Sequence, residues 1–223
     1  MPPTVITAAL TGTWPDGKLA TGTHYATAMA KMLARYAPGI PFVLFSDRSI
    51  PGVMTIPITD KRCRGVLSKM FVYKPGHFDP GTRILQIDMD TAIVAPLTQT
   101  LSVPLELPVA ASLRGWPVGG AISFEVGAWS RSVWELFAAQ PQLVGRPARV
   151  GEQVSYNDEQ FFARAAGAAG WASWQSLAPG AVIGFKADLK FGRLDPGPPA
   201  EIVMFDGNPR PHTVRLPWNG LYM

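Results

Sequence analysis

Cysteine is almost missing from this chain: Cys63 is the only one in 223 residues. No internal disulfide can form, and a reducing compartment, the cytoplasm, is the expected location. The amino terminus, Met1-Pro2-Pro3-Thr4, lacks the basic segment and apolar stretch of a secretory signal. No run of about twenty apolar residues occurs, so no transmembrane segment is expected. Charged residues make up only 16% of the chain. The net charge of +4 is not gathered into an extended Lys/Arg run or a basic–aromatic stripe, which argues against a nucleic-acid partner. Internal repeats and low-complexity tracts are also absent.

What is present is an ordinary globular composition, 47% hydrophobic, in a length that buries one sizeable core. A single domain over residues 1–223 is expected. Val5 to Leu10 reads as a buried strand followed by a turn-rich stretch. Tyr25, Met29, Met32, Leu33 and Tyr36 recur at helical spacing and stop before Pro38 and Gly39. Phe42 to Phe45 is a second apolar run, ending on Ser46 and Asp47. Strand, helix, strand with a right-handed crossover predicts parallel neighbours and an α/β sheet. Further strands are expected at Val53 to Ile58, Ile84 to Ile87, Val109 to Leu113, Ala121 to Val126, and near Val182 and Ile202. Helices are expected around Val66, Met70 and Tyr73, from Ser130 to Gln140, and after Asp158. The fold class is therefore α/β, with a mainly parallel central sheet flanked by helices.

Ile84 to Ile87 runs directly into Asp88-Met89-Asp90. On an extended segment, residues two apart share a face, so both carboxylates can meet one cation while Met89 points away. Hard oxygen donors suit Mg²⁺ or Mn²⁺. Such an ion would neutralise charge developing on a departing diphosphate. Ligands of open α/β sheets gather beyond the carboxyl ends of the strands, where this motif is expected.

The pieces around this motif resemble the nucleotide-sugar glycosyltransferases of the A-type fold, particularly the glycogenin-like and related bacterial transferases. Ser68-Lys69-Met70-Phe71, followed by Gly81 to Leu97, GTRILQIDMDTAIVAPL, is similar to the family's segment leading through its Asp-x-Asp motif. Val5 to Ala9 and Phe42 to Asp47 resemble its first two strands, whose ends hold the nucleoside. The resemblance thus implies donor contacts at Thr7, Ala8 and Asp47. Gly119 to Phe124 resembles the glycine-containing strand of the sugar pocket, with Gly120 beside the donor. Asn157-Asp158-Glu159-Gln160 resembles the helix start that faces donor sugar and acceptor, implying catalytic roles for Asp158 and Gln160. Phe205 to His212, FDGNPRPH, resembles the carboxy-terminal loop that closes over the diphosphate. Relatives carry a metal-binding histidine there; the resemblance implies a third ligand beside Asp88 and Asp90, with Asp206 expected ahead of His212.

Each of these residues also has a plain structural reading. Asp47 either accepts hydrogen bonds from a nucleoside or caps the turn after its strand. Lys69 and Arg210 either face phosphate oxygens or are solvated charges. Asp158 either acts on substrate or caps its helix. Gly120 either admits the sugar or marks a bulge. Trp116 and Trp218 are candidate platforms for an acceptor sugar.

The resemblance implies a metal-dependent, retaining glycosyltransferase. Its donor is a nucleotide-diphosphate sugar, UDP favoured, and its acceptor is an unspecified glycan, protein or small molecule. Two alternatives share this fold. One is a sugar-nucleotide-binding protein without turnover. The other is a nucleotidyltransferase, disfavoured because AALTGT after the first strand lacks the basic glycine-rich loop.

Overall fold

The computed structural model describes residues 3–10, 19–113, 116–141, 158–167, 170–186, 200–205 and 211–213. Within them, β1 (Thr4–Leu10), α1 (Leu19–Tyr36) and β2 (Phe42–Ser46) open the chain. The apolar stripe of α1 is buried as its spacing predicts, with Tyr25, Met29, Met32 and Leu33 all at most 3% exposed. Gly39, at φ +83°, follows the helix in a left-handed conformation that glycine adopts without a Cβ clash. The chain then returns as β2, parallel to β1, with Ile6 opposite Phe42.

Next come β3 (Met54–Pro57), a 3-10 helix (Gly65–Tyr73), β4 (Arg83–Ile87), β5 (Thr91–Ile93) and α2 (Thr98–Ser102). They are followed by β6 (Val109–Leu113), β7 (Trp116–Glu125), α3 (Ala128–Ala139) and α4 (Asp158–Ala166). The last elements are β8 (Ala172–Ser173), α5 (Trp174–Leu177), β9 (Val182–Gly184), β10 (Ile202–Met204) and a 3-10 turn (Pro211–Thr213). Gly65–Tyr73 coils as a 3-10 helix, tighter than the α-helix its apolar spacing predicts.

Seven strands form the central sheet in the order β3-β2-β1-β4-β7-β6-β8. Strands β1 to β4 run parallel to one another, and β7 is antiparallel to both β4 and β6. Strand β4 is thus central, and all five of its residues are buried. A second sheet, β5-β10-β9, was not expected. It pairs β10 antiparallel to β5 and parallel to β9.

Two apolar layers result. One face of the large sheet packs with α1, the small sheet and Trp174. Trp174 satisfies its indole by donating Nε1–H to the Ala121 carbonyl at 2.9 Å. The other face packs under the 3-10 helix, α3 and α4 through Met70, Phe71, Phe137, Phe161 and Phe162.

Short helix α2 is held from both ends by buried charges. The Glu201 carboxylate accepts from the Gln99 and Thr100 amides at 2.7 and 2.8 Å and from the Thr100 hydroxyl at 2.6 Å. Arg83 donates to the carbonyls of Thr100 and Val103 at 3.0 and 2.8 Å. An anion at the amides and a cation at the carbonyls match the helix dipole. Among the described residues, no helix is long and apolar enough to cross a membrane.

Candidate functional site at the carboxyl edge of the sheet

Because β1, β2 and β4 are parallel, their carboxyl ends share one edge of the sheet. Asp47 directly follows β2 and Asp88 directly follows β4. The structure therefore brings these two carboxylates to the same edge. Antiparallel β7 contributes its amino-terminal half there, with Ala121 opposite Ile87 and the Asp88 amide donating to the Gly120 carbonyl at 2.9 Å.

The Asp-x-Asp motif is not on extended backbone, which corrects the alternation argument for its geometry. Strand β4 ends at Ile87, and the Thr91 amide donates to the Asp88 carbonyl at 3.1 Å, closing a tight turn. The physical reason is the change of sheet: β4 belongs to the large sheet and β5 to the small one, so the chain must turn between them. Asp88 and Asp90 thus reach the site from one turn. Met89 is buried in the core layer that holds α1.

Asp88 meets Lys69. Its two oxygens lie 2.9 and 3.1 Å from Nζ of Lys69, which comes from the 3-10 helix covering this face. The Lys69 side chain is 11% exposed and that of Asp88 33% exposed. Such a shielded, charge-assisted pair is stronger than one in open water. Asp90 is buried, at 8% exposure.

Gly120 is needed for a close approach. A Cβ built there would lie 2.9 Å from Sδ of Met204 on β10, and Met204 is in register with Thr91. Thr91 also donates its hydroxyl to the Gly120 carbonyl at 3.4 Å. The Asp88 turn, β7 and β10 are thereby packed as one unit. Strand β10 immediately precedes Phe205, which stacks on Phe185 at 4.7 Å.

The other expected site residues are distributed as follows. Thr7 and Ala8 lie inside β1 and are fully enclosed. Asp47 is exposed and paired with its neighbour, Arg48 Nε lying 3.0 Å from Oδ1. Asp158 and Gln160 are in the first turn of α4, which packs over β7; their side chains lie outside the described residues. So do Asp206 and Arg210 entirely, Trp218, and the side chains of Trp116 and His212. Among the described residues, no group of three or more His, Cys, Asp or Glu side chains comes together.

The Lys69–Asp88 pair is the feature that reading along the chain missed. Nineteen residues separate the partners, and only the tertiary fold closes that gap. A cavity of about 410 Å³ also exists, lined by Tyr73, Phe78, Phe124, Gly127 and Arg131 among others. It lies by the carboxyl end of antiparallel β7, hence at the opposite edge from Asp88.

Comparison with solved structures finds the same fold. An active-site mutant of LgtC superposes with a TM-score of 0.63 at 12% identity, covering 93% of this chain and 89% of that one. The galactosyltransferase LgtC in complex with donor and acceptor sugar analogs gives 0.62 at 13% identity, with 97% and 92% covered. The glycosyltransferase GlyE of Streptococcus pneumoniae gives 0.60 at 16% identity, with 93% of this chain and 56% of GlyE covered. No family model matches the sequence, and no curated protein does. The architecture is thus that of A-type nucleotide-sugar glycosyltransferases, at a sequence distance where the fold alone is shared.

Proposed function

We propose that this protein is a metal-dependent glycosyltransferase, taking a sugar from a nucleotide-diphosphate donor, UDP favoured, with retention of configuration. The acceptor is a glycan, a protein or a small molecule. The observation that carries this reading is the position of Asp88. It is a part-exposed carboxylate at the carboxyl end of the central strand, in a glycosyltransferase fold, already engaged by a cation.

The residues fit a hard divalent ion. Two carboxylates leave one turn, Asp88 presents both oxygens to an ammonium at 2.9 and 3.1 Å, and oxygen donors suit Mg²⁺ or Mn²⁺. Asp88 and Asp90 would hold the metal, with Asp206 or His212 as third ligand. When bound, the ion supplies Lewis-acid stabilisation of the leaving diphosphate.

The chain's own groups do the rest. Lys69, displaced from Asp88, turns its ammonium toward phosphate oxygens, and Arg210 adds a planar guanidinium that bonds two of them. Asp47 accepts hydrogen bonds from the nucleoside at the same edge, with Thr7 and Ala8 shaping the strand beside it. Gly120, packed against Met204, lets β10 close on the Asp88 turn rather than opening space for a sugar, and the start of α4 would bring Asp158 and Gln160 to act on donor sugar and acceptor.

Thermal stabilisation by ligand tests the reading, because a ligand specific for the native state stabilises it by about 2.7 kcal/mol at a hundredfold excess over Kd. For a chain of this length that corresponds to a rise of roughly 5–10 °C in Tm. UDP and Mn²⁺ together should give the full shift, and each alone much less. No shift with UDP, GDP, ADP, CDP or TDP in saturating Mn²⁺ would remove the donor site. Release of sugar from a UDP-sugar panel then separates an enzyme from a binding protein.

A further inference from the structure

Thr7 and Gln86 are register partners across the parallel strands β1 and β4. They are 0% and 1% exposed. The Thr7 hydroxyl and both polar atoms of the Gln86 amide are buried with no hydrogen-bond partner in the protein. Buried polar groups are almost always bonded to protein or to ordered water, so three such atoms together on neighbouring strands call for an occupant.

Their surroundings leave few choices. Flanking residues on this face, Val43, Ile84 and Ile122, are apolar and belong to the layer under the 3-10 helix. Val43 pairs with Thr7 and Ile122 with Gln86. A hydroxyl and a carboxamide provide donors and acceptors together, which matches water, itself both donor and acceptor. An internal water needs two to four polar partners, and these two side chains offer three polar atoms.

The pair also has a place in the site. Gln86 is two residues before Asp88, and the β4–β7 ladder continues through the Asp88 amide. Asp88, still paired to β7 before the turn begins, is the last residue to which alternation applies, and its side chain lies on the face of Gln86. Lys69 reaches Asp88 from the 3-10 helix that covers that same face.

We infer that Thr7 and Gln86 bind an internal water beneath the Lys69–Asp88 pair, and that Gln86 is a positioning residue for Asp88. The water ties β1 to β4 where the central strand gives way to the Asp88 turn. The positioning role rests on the reading of Asp88 as a metal ligand; the water site stands without it.

Three measurements on the full chain decide this. In ¹⁵N-labelled protein, the Gln86 side-chain amide protons should show Overhauser contacts to a long-lived water, lost in Thr7→Val. In thermal melts, Thr7→Val and Gln86→Leu should each lower Tm, whereas the double variant should melt above either single, since no polar group is left stranded. Single variants that melt at or above the wild type, with no water contact, would overturn the water site. In Mn²⁺ titrations, Thr7→Val should bind about tenfold more weakly, because losing the water loosens the end of β4 from which Asp88 projects, an effect of the size seen when support behind a metal ligand is removed. Thr7→Ser, which keeps the hydroxyl, should bind as the wild type does. Equal Mn²⁺ affinity in Thr7→Val would overturn the positioning role. If the wild type binds no Mn²⁺, the metal reading and the positioning role fall together, and the melts and water contacts still decide the water site.

Discussion

Lys69 holds Asp88 through both carboxylate oxygens, at 2.9 and 3.1 Å, so on the proposed reading an ammonium stands where the divalent cation would bind. Metal binding would then be an exchange of cations at one carboxylate. Lys69→Met removes the competitor, and its Mn²⁺ affinity should rise. On the same reading the variant would lose a phosphate partner, so UDP affinity in saturating Mn²⁺ should fall about tenfold, the loss of one charge-assisted hydrogen bond. Calorimetric titration of both ligands checks the opposed signs; two changes in the same direction would separate Lys69 from one of these roles.

Asp90 shares its turn with Asp88 and is more deeply buried. Asp90→Asn keeps the shape and removes the charge. Metal-dependent sugar transfer should drop by orders of magnitude while the circular dichroism spectrum is unchanged. Near wild-type transfer would take Asp90 out of the metal site.

Gly120 faces Met204 so closely that a methyl group would sit 2.9 Å from Sδ and 3.4 Å from Cγ. Gly120→Ala forces the Met204 side chain to move, an overpacking cost of about 1–3 kcal/mol, or a fall in Tm of roughly 2–12 °C. Combining it with Met204→Ala should recover part of that loss, giving a non-additive cycle. Additive melting temperatures would show that the two residues do not compete for space.

His77 is wedged between Phe45 and Phe71, with ring centroids 5.0 and 4.7 Å away. Burial, with a smaller contribution from the nearby Lys74 charge, pulls its pKa below the ordinary 6.5. The unfolded chain therefore takes up this proton at a higher pH than the native chain does. Stability associated with His77 is full above about pH 6.5 and is lost as the pH falls from there toward the native pKa. His77→Phe should flatten the Tm profile between pH 7 and 5. An unchanged acid slope in that variant would assign it elsewhere.

Much of the architecture was legible because single stretches encode it. The α1 stripe has one period throughout, and the β4 run is apolar and short, bounded by turn residues. The carboxyl-edge position of Asp88 followed from strand order alone. The small sheet was not legible: β5, β9 and β10 are three residues each, too short for periodicity to register, and β5 pairs with β10 across more than a hundred residues. The Asp-x-Asp turn escaped for a related reason, since nothing local marks that Ile87 and Thr91 belong to different sheets. Thr7 and Gln86 are polar residues set between apolar neighbours in their strands, and that mismatch is visible in the sequence once their pairing is known.

The grip of Glu201 on α2 bears on the order of assembly. The carboxylate that receives the Gln99 and Thr100 amides arrives a full hundred residues after them, and the next residue, Ile202, pairs with Ile93 of β5. Closing so long a loop is entropically slow and yields no contact until it is complete. During synthesis, β5 and α2 must therefore wait, one with an open edge and the other with bare amides, while the first four parallel strands are already able to pair. The turn carrying Asp88 and Asp90 lies at the junction between the early and late parts. A nascent chain can thus have its large sheet in place well before the ground around its carboxylates has set.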